Sequence, residues 1–404
     1  MLLSVVGFGT SAAIVKFASV SQLGIYSSFL VVITLAQTCY GSLFSGQMLL
    51  ISSGKSRIFV NTYFRLTTVM WAASTFGFLL LFFCIFFIMS FFDEETYQKT
   101  MAYGTVCVVS LTLFEQTRRL MYVRSEFKYS AVFTIVFSIS HVVMSVFLFQ
   151  LNEGNYSANS AFLSLGTAYL IGVLLNPVFW NSLSTAKNIS PIKAIALFKR
   201  YLLQGKFALG GIILSWIQNQ SITMYLLVFF GPKVAGVFSL GRLLLTPISV
   251  VNYGLINGFI PLLRKYAQNK EWSKLFSTTN KFSRMGAASV LAYSIPLLVV
   301  LKFDWLQPYL PEIEDAKPFV YFWITLTGIL VFRTWLTQYF IARLHFKFLL
   351  NASLVSTTIT ALSVIVLTIF NASPILISSS IIMGELINYF IISKKRNDLV
   401  QNLT

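Results

Sequence analysis

Lysine and arginine gather at every second break between about twelve apolar stretches of this chain, and that alternation restricts it to folds that cross a membrane repeatedly. The basic breaks hold Lys55/Arg57/Arg65, Arg118/Arg119/Arg124/Lys128, Lys187 to Lys206, Arg264 to Arg284 and the tail Lys394/Lys395/Arg396, while Arg343/Lys347 mark a tighter one. The breaks between them are acidic or neutral: Ser21-Gln-Leu-Gly, Asp93-Glu-Glu, Asn152-Glu-Gly-Asn, Gly231-Pro-Lys, Asp304 to Asp315 and Asn371-Ala-Ser-Pro. Short loops rich in Lys and Arg stay on the cytoplasmic side, so both termini are expected there, with an even number of crossings.

Hydrophobic residues make up 56% of the chain and charged ones 11%, and the mean hydropathy is +0.75, values of an integral membrane protein rather than of a soluble one with a large core. A net charge of +17 would suit nucleic acid if it lay on a soluble face; here it lies between spans, so no nucleic-acid partner is expected. Cys39, Cys84 and Cys107 all fall inside apolar stretches and give neither a disulfide framework nor metal-ligand spacing. The stretches have the length of membrane helices, and the alternating strands of a barrel are absent. The prediction is therefore an all-α integral membrane protein with spans near 1–19, 27–50, 66–92, 100–122, 130–151, 159–181, 206–230, 236–262, 283–303, 318–342, 348–370 and 374–393. The first has no charged n-region and no small-residue cleavage site, so it reads as a span rather than a signal peptide, and its shortness leaves room for residues upstream of Met1.

The longest break without a span, 182–205, sets Ile192, Ile195, Leu202 and Leu203 against Lys193, Lys199, Arg200 and Lys206, the make-up of a helix lying along the cytoplasmic surface. It separates an N-terminal lobe of six helices, 1–181, from a C-terminal lobe of six, 206–404, which ends in a basic cytoplasmic tail. Leu23-Gly-Ile-Tyr-Ser before the second span is echoed by Ala235-Gly-Val-Phe-Ser before the eighth. Six spans per lobe preserve direction, so the lobes are expected to be related by a pseudo-two-fold axis along the membrane normal. Carriers commonly use this plan, and rigid scaffolds are compatible with it.

Polar groups inside the spans bear on that choice, because an ionisable group in hydrocarbon costs about 2.5 to 3.5 kcal/mol and normally faces a cavity or a partner. In the eighth span Ser239, Arg242, Thr246, Ser249, Tyr253 and Asn257 recur at helical spacing on one face. Arg242 and Lys16 lie toward the outer ends of their spans, where snorkelling to the headgroups competes with lining a cavity; Arg333 lies deeper and favours a cavity. Glu115, Arg118 and Arg119 are spaced so that the acid can pair with either base. The guanidinium left over would be either an anchor or a phosphate contact. Glu385 and Asn388 share a face, which suits a structural hydrogen bond or a proton carrier, and His141 reads as one half of an interhelical hydrogen bond. Pro177 and Pro296 interrupt the sixth and ninth spans, Pro247 and Pro261 bracket the eighth, and Gly41 and Gly46 loosen the second. There is no Walker-type glycine loop and no metal-ligand cluster, so neither ATP use nor a cofactor or metal is expected.

Gly24-Ile-Tyr-Ser, the run Glu115-Gln-Thr-Arg118-Arg119, and Gly231-Pro-Lys-Val-Ala-Gly236-Val-Phe-Ser239 followed by Asn257-Gly-Phe-Ile-Pro261-Leu-Leu-Arg264 carry a resemblance that runs over the whole chain. Together they resemble the Wzx-type polysaccharide flippases of the multidrug/oligosaccharidyl-lipid/polysaccharide exporter superfamily. The resemblance implies two six-helix lobes around a cationic cavity in a bacterial inner membrane. It also implies transport of an undecaprenyl-diphosphate-linked oligosaccharide, such as an O-antigen repeat unit, from the cytoplasmic to the periplasmic leaflet, with proton or sodium coupling in some members. Membrane lipids and a glycan polymerase are the expected neighbours. Lys16, Arg118, Arg119, Arg242 and Arg333 are then candidates for the diphosphate, Ser239, Thr246, Ser249 and Asn257 for sugar hydroxyls, and Glu115 and Glu385 for ion coupling. The first span carries Lys16 and no acid, unlike the related drug exporters, which rely on first-lobe acids to bind cations. A cation-drug exporter of the same fold predicts a negative cavity. A glycan polymerase or ligase predicts a larger outer loop than 304–317 provides, and a scaffold leaves the polar stripe without a reason.

Overall fold

A computed structural model describes residues 2–41, 57–69, 71–72, 94–124, 126–185, 206–207, 209–305, 307–308, 311–343 and 345–401; within these, the side chains at 2–4, 94–98, 253, 257, 260, 261, 400 and 401 lie outside the description. The described residues are helical throughout apart from short turns and caps, as hydrocarbon demands of any backbone that must satisfy its own N–H and C=O groups. In chain order the helices are α1 (Leu2–Phe17), α2 (Val20–Tyr40), α3 (57–69), α4 (Glu94–Val123), α5 (Phe127–Leu151), α6 (Ala158–Leu174), α7 (Pro177–Ser184), α8 (209–219), α9 (Ser221–Leu244), α10 (Thr246–Gln268), α11 (Trp272–Lys302), α12 (Ile313–Ala342), α13 (Phe346–Ile369) and α14 (Pro374–Gln401). Seven apolar helical stretches are long enough to cross a membrane on their own, which makes this a multi-pass membrane protein. Two compact units divide the chain, residues 2–212 and 213–404.

Within the 2–212 unit the helices pack through small residues and stacked rings. A Cβ added at Gly166 would meet the Cys107 backbone nitrogen at 3.1 Å, so α4 and α6 approach almost backbone to backbone. Phe114 stacks on Phe133 with ring centroids 4.2 Å apart, and Phe137 stacks on Tyr169 at 4.4 Å. Tyr26, the aromatic of the first echo segment, is buried against Phe162. A polar knot sits in this apolar interior: Gln116, fully buried, donates to Thr67 Oγ1 and Thr68 Oγ1 at 2.9 Å and accepts from the Tyr40 hydroxyl. At one end of the unit the Gln22 Oε1 accepts from the Ala158 amide at 3.2 Å, and the Thr100 hydroxyl donates to Asn159 at 2.7 Å, which gathers the neutral turns. At the other end Arg124 donates to Asn61 and, at 2.7 Å, to Ser182, while Asn61 donates to Thr185. The alternation of charge along the sequence thus becomes a separation of charge between the two ends of one bundle.

Gly231 shapes the 213–404 unit. Its φ of 84° with ψ of 172° belongs to a region open essentially to glycine alone, and Pro232 follows it. Arg242 Nη1 donates to Gln220 Oε1 at 2.6 Å although 22 residues separate them; a straight helix of that length would hold them about 33 Å apart. The chain therefore doubles back at Gly231-Pro232, and the single apolar stretch Leu209–Leu244 is two antiparallel legs. Leu245 then closes a tight turn on Arg242 O, and Pro247, in the first turn of α10, needs no partner for the N–H it lacks. Phe238 of the second echo segment is buried against Trp323, whose indole N–H it receives on its carbonyl at 3.0 Å.

Several boundaries differ from the sequence expectation, two of them for one reason. The segment Ser21–Gly24 reads in the sequence as a break and lies inside α2; α11 starts at Trp272, well inside the Arg264–Arg284 break; Lys394 to Arg396 belong to α14. Charge marks where the hydrocarbon ends, and Lys, Arg and Gln are good helix formers that let the helix run on into water. Pro177 opens a helix bent by 55° from α6, as expected, but Pro296 sits inside an unbroken α11. The expected linker 182–205 falls from residue 186 onward outside the described residues, as do 42–50 of the second span and 73–92 of the third.

Turn chemistry here is open to measurement at two places. Gly231→Ala should lower stability by about 1–3 kcal/mol through backbone strain alone, since its Cβ would meet nothing within 4 Å, whereas Gly328→Ala, helical and equally open, should not; thermal unfolding in detergent measures both. Lys317 donates to Asp304 and Glu314 at 2.6 Å and holds the Asp304 carboxyl below the usual aspartate range. A depressed acid stabilises above its unfolded pKa and ceases to as pH falls through its folded one. Lys317→Met should accordingly speed amide exchange at Phe303–Trp305 and Ile313–Ala316 at pH 7, and the difference from wild type should shrink as pH falls through the lowered pKa of Asp304.

Candidate functional site

A cavity of about 230 Å³ opens inside the 213–404 unit between the turn joining α8 to α9, the end of α9, the first half of α10 and the middle of α12. Its walls combine amides, hydroxyls and indoles: Asn219, Gln220, Thr246, Ser249, Asn252, Thr327, Thr334, Trp323 and Trp335. Arg242 stands on the same wall, exposed, held by Gln220 Oε1, with its guanidinium 5.6 Å from the centre of the Trp323 ring. The doubling back at Gly231 brings Gln220 and Arg242 together, and the break at Leu245 turns Thr246, Ser249 and Asn252 toward the same space. A cation over an indole face is retained more cheaply than a cation in lipid.

Behind this wall lies an ion pair. Arg333 Nε is 2.8 Å from Glu385 Oε2, the carboxylate is fully buried, and its other oxygen accepts from Asn219 Nδ2 at 2.8 Å. Asn219 therefore lines the cavity with one edge and holds the glutamate with the other. The same helix carries Gly384, where a Cβ would come within 1.9 Å of Thr360 Oγ1; the missing side chain lets α14 seat against α13. Asn388, expected to share a hydrogen-bonded face with Glu385, is buried with neither amide atom partnered.

In the 2–212 unit, Glu115 takes Arg118 rather than Arg119: Arg118 Nη2 reaches both carboxylate oxygens, at 2.7 and 2.8 Å. Arg119, half-buried, has neither a hydrogen bond nor an ion pair among the described residues, and its electrostatic neighbours are Glu115, Arg118 and Tyr40. His141 shares a 2.8 Å hydrogen bond with Thr10. Lys16 is exposed at the end of α1, 5.4 Å from the centre of the Phe17 ring. A second cavity, about 560 Å³, lies at the neutral end of this unit, but it is open, contains none of the expected residues, and two of its asparagines are already paired, Asn152 with Ser160 and Asn159 with Thr100.

Three expected stripe residues, Arg242, Thr246 and Ser249, meet in the C-terminal cavity. Ser239 is buried outside it, because the helix ends at Leu244 and the stripe does not continue through the break; the Asn257 side chain lies outside the described residues. Asn219, Gln220, Asn252, Trp323 and Trp335 were not foreseen. Three amides in succession, Gln218-Asn219-Gln220, in the middle of an apolar span were the available signal for the first two.

The pair behind the wall makes a testable claim. Removing one partner of a buried ion pair typically costs 3–5 kcal/mol because the other is left uncompensated, whereas replacing both with apolar groups is often neutral. Arg333→Met should lower stability by about 3 kcal/mol or more, and Arg333→Met with Glu385→Leu should recover most of it, as measured by thermal unfolding in a double-mutant cycle.

No protein-family model and no curated protein matches this chain. Its structure is similar to solved ones over nearly its whole length. An inward-facing multidrug resistance MATE family transporter of the MOP superfamily matches at a TM-score of 0.69 with 11% identity, covering 99% of this chain and 95% of that one. The MATE multidrug transporter DinF-BH, in complex with rhodamine 6G, matches at 0.67 and 16%, covering 98% and 92%, and the lipid II flippase MurJ, in an inward closed conformation, at 0.60 and 14%, covering 96% and 84%. At these identities the likeness establishes the fold: this all-α membrane protein has the fold of MATE transporters and of a lipid-linked flippase.

Proposed function

We propose that this chain is a Wzx-type flippase, moving an undecaprenyl-diphosphate-linked oligosaccharide from the cytoplasmic to the periplasmic leaflet of a bacterial inner membrane by alternating access, with both termini cytoplasmic. The observation that carries this reading is the disposition of charge: Glu115 and Glu385, the acids within described spans at which an organic cation would be held, are each engaged by an arginine of their own unit. What the cavity then offers is Arg242 among amides, hydroxyls and indoles, the chemistry of a phosphorylated sugar rather than of a lipophilic cation. The likeness to MATE transporters supports a multidrug exporter equally well as to fold, and charge is the ground for preferring the flippase.

The arginines divide into two sets in this reading. Arg118 pairs with Glu115 along one helix and Arg333 ties α12 to α14 through Glu385, while Arg119 and Arg242 contact the diphosphate. Lys16 is a further anionic contact, and Ser239 and Asn257 remain candidates for sugar hydroxyls. An ion gradient would couple through Glu115 or Glu385, the acids within the described spans. Transport unaffected by Glu115→Gln and Glu385→Gln removes both from that role.

Losing a hydrogen bond to a charged group costs about 1.5–3 kcal/mol, so Arg119→Gln and Arg242→Gln should each slow transport about ten- to a hundredfold. The measurement is display of the lipid-linked glycan at the cell surface, with protein level in the membrane as control. Wild-type display in both variants would overturn the assignment of these two residues.

A further inference from the structure

Three basic breaks of the sequence, Arg264 to Arg284, Arg343/Lys347 and Lys394 to Arg396, meet at one end of the 213–404 unit. Arg396, near the end of α14, is buried against the start of α11: its guanidinium is 4.8 Å from the centre of the Phe276 ring, and Nη1 donates to Asn280 Oδ1 at 2.7 Å. Arg343, which caps the end of α12, lies half-buried 4.4 Å from the centre of the ring of Trp272, the first residue of α11, and its Nη1 donates to the Tyr339 hydroxyl at 2.8 Å. His345, which opens α13, is exposed and feels the positive charge of Arg343 and of Lys395, itself exposed on α14. Four helix ends thus bring their cations to one place.

No acid answers them. Arg343, Lys395 and Arg396 form no ion pair among the described residues, whereas Arg118 and Arg333 each have a glutamate. The acids at hand do not fill the role: Glu271, beside Trp272, is taken by Lys274 at 2.7 Å, and Asp398, exposed on α14, likewise forms no ion pair among the described residues. The rings of Trp272 and Phe276 hold the guanidinium groups in place without cancelling their charge. Like charges gathered this way repel one another, and the imidazole registers it: burial, with the charges of Arg343 and Lys395, holds His345 below the ordinary histidine range.

The chemistry asks for an anion from outside the chain, and the position says which kind. The helices α11, α12, α13 and α14 are each long and apolar enough to cross a membrane, so their ends lie where headgroups lie, and the indole and phenol around Arg343 are the rings that favour this interface. Basic clusters between helix ends hold anionic headgroups there, a guanidinium offering a planar fork to phosphate oxygens and an ammonium a point charge. We infer that Arg343, His345 and Lys395, with Arg396 behind them, form a binding site for the phosphate of an anionic lipid headgroup. This lipid is a resident of the fold and not its cargo, so the inference stands apart from the flippase reading. Its charge offsets the repulsion among the four cations and ties the ends of α12, α13 and α14 to α11.

The chain has 2 histidines, which makes the test direct. In the purified full chain, labelled with carbon-13 histidine and held in an uncharged detergent, His345 reports on the site, and His141, buried in the other unit against Thr10, is the internal reference. Titration with dioctanoyl phosphatidylglycerol should shift the His345 resonance saturably and raise its pKa toward the ordinary value of about 6.5, with His141 unmoved. Dioctanoyl phosphatidylcholine and inorganic phosphate at the same concentrations should do neither. Lys395→Gln, at an exposed position that leaves the fold intact, should weaken the binding about fivefold, and Arg343→Gln about tenfold. Absence of a saturable His345 shift overturns the inference. An equal response to phosphatidylcholine or to inorganic phosphate overturns the assignment to an anionic headgroup. A response of the same size and midpoint in wild type and both variants means that the charge of the micelle acts alone, and it overturns the site as well.

Discussion

A charge inside a bilayer must be answered within the protein, and the pairing of Arg333 with Glu385 is where this chain answers it between two helices. An unpaired carboxylate at the middle of a span is expensive, and here one of its oxygens meets a guanidinium while the other meets an amide. The consequences spread outward from that point. Glycine at 384 lets the helix carrying the glutamate seat against its neighbour, Asn219 is fixed with one edge on the carboxylate, and its other edge becomes part of a cavity wall. The N-terminal unit repeats the solution with Glu115 and Arg118 three residues apart on one helix. With both acids paired to arginines from within, the polar surface that remains in the cavity is amide, hydroxyl, indole and a single arginine.

The turn at Gly231 converts this local chemistry into a site. Without a doubled-back chain, Gln220 and Arg242 would be separated by the length of a membrane span; with it they are in hydrogen-bond contact, and the break at Leu245 then aims the next helix's polar face at the same space. The geometry of the cavity therefore depends on two interruptions of helix, at Gly231-Pro232 and at Leu245 ahead of Pro247.

Much of this was legible in the sequence. Apolar periodicity and alternating charge identified an all-α membrane protein, because hydrocarbon leaves the backbone no alternative, and Gly231-Pro232 was readable as a turn. Arg242, Thr246 and Ser249 were recognisable as one face. Helix ends were not, since Lys, Arg and Gln extend helices beyond the membrane, and α11 and α14 run through segments that charge alone marks as breaks, while α2 runs through a neutral one. Partner choice was also beyond the sequence: spacing allowed Glu115 either Arg118 or Arg119, and nothing in one dimension joined Arg333 to Glu385, fifty-two residues away. Trp323, Trp335 and Asn252 look like ordinary core and become a site only when three segments converge.

The central claim is that internal pairing of the acids leaves the interior selective for anions. Binding of undecaprenyl diphosphate and of rhodamine 6G to the purified protein, followed side by side by microscale thermophoresis at low and high salt, tests it most directly. The account predicts saturable, salt-weakened binding of the diphosphate and none of the dye. Saturable binding of the dye, with no affinity for the diphosphate, would contradict it.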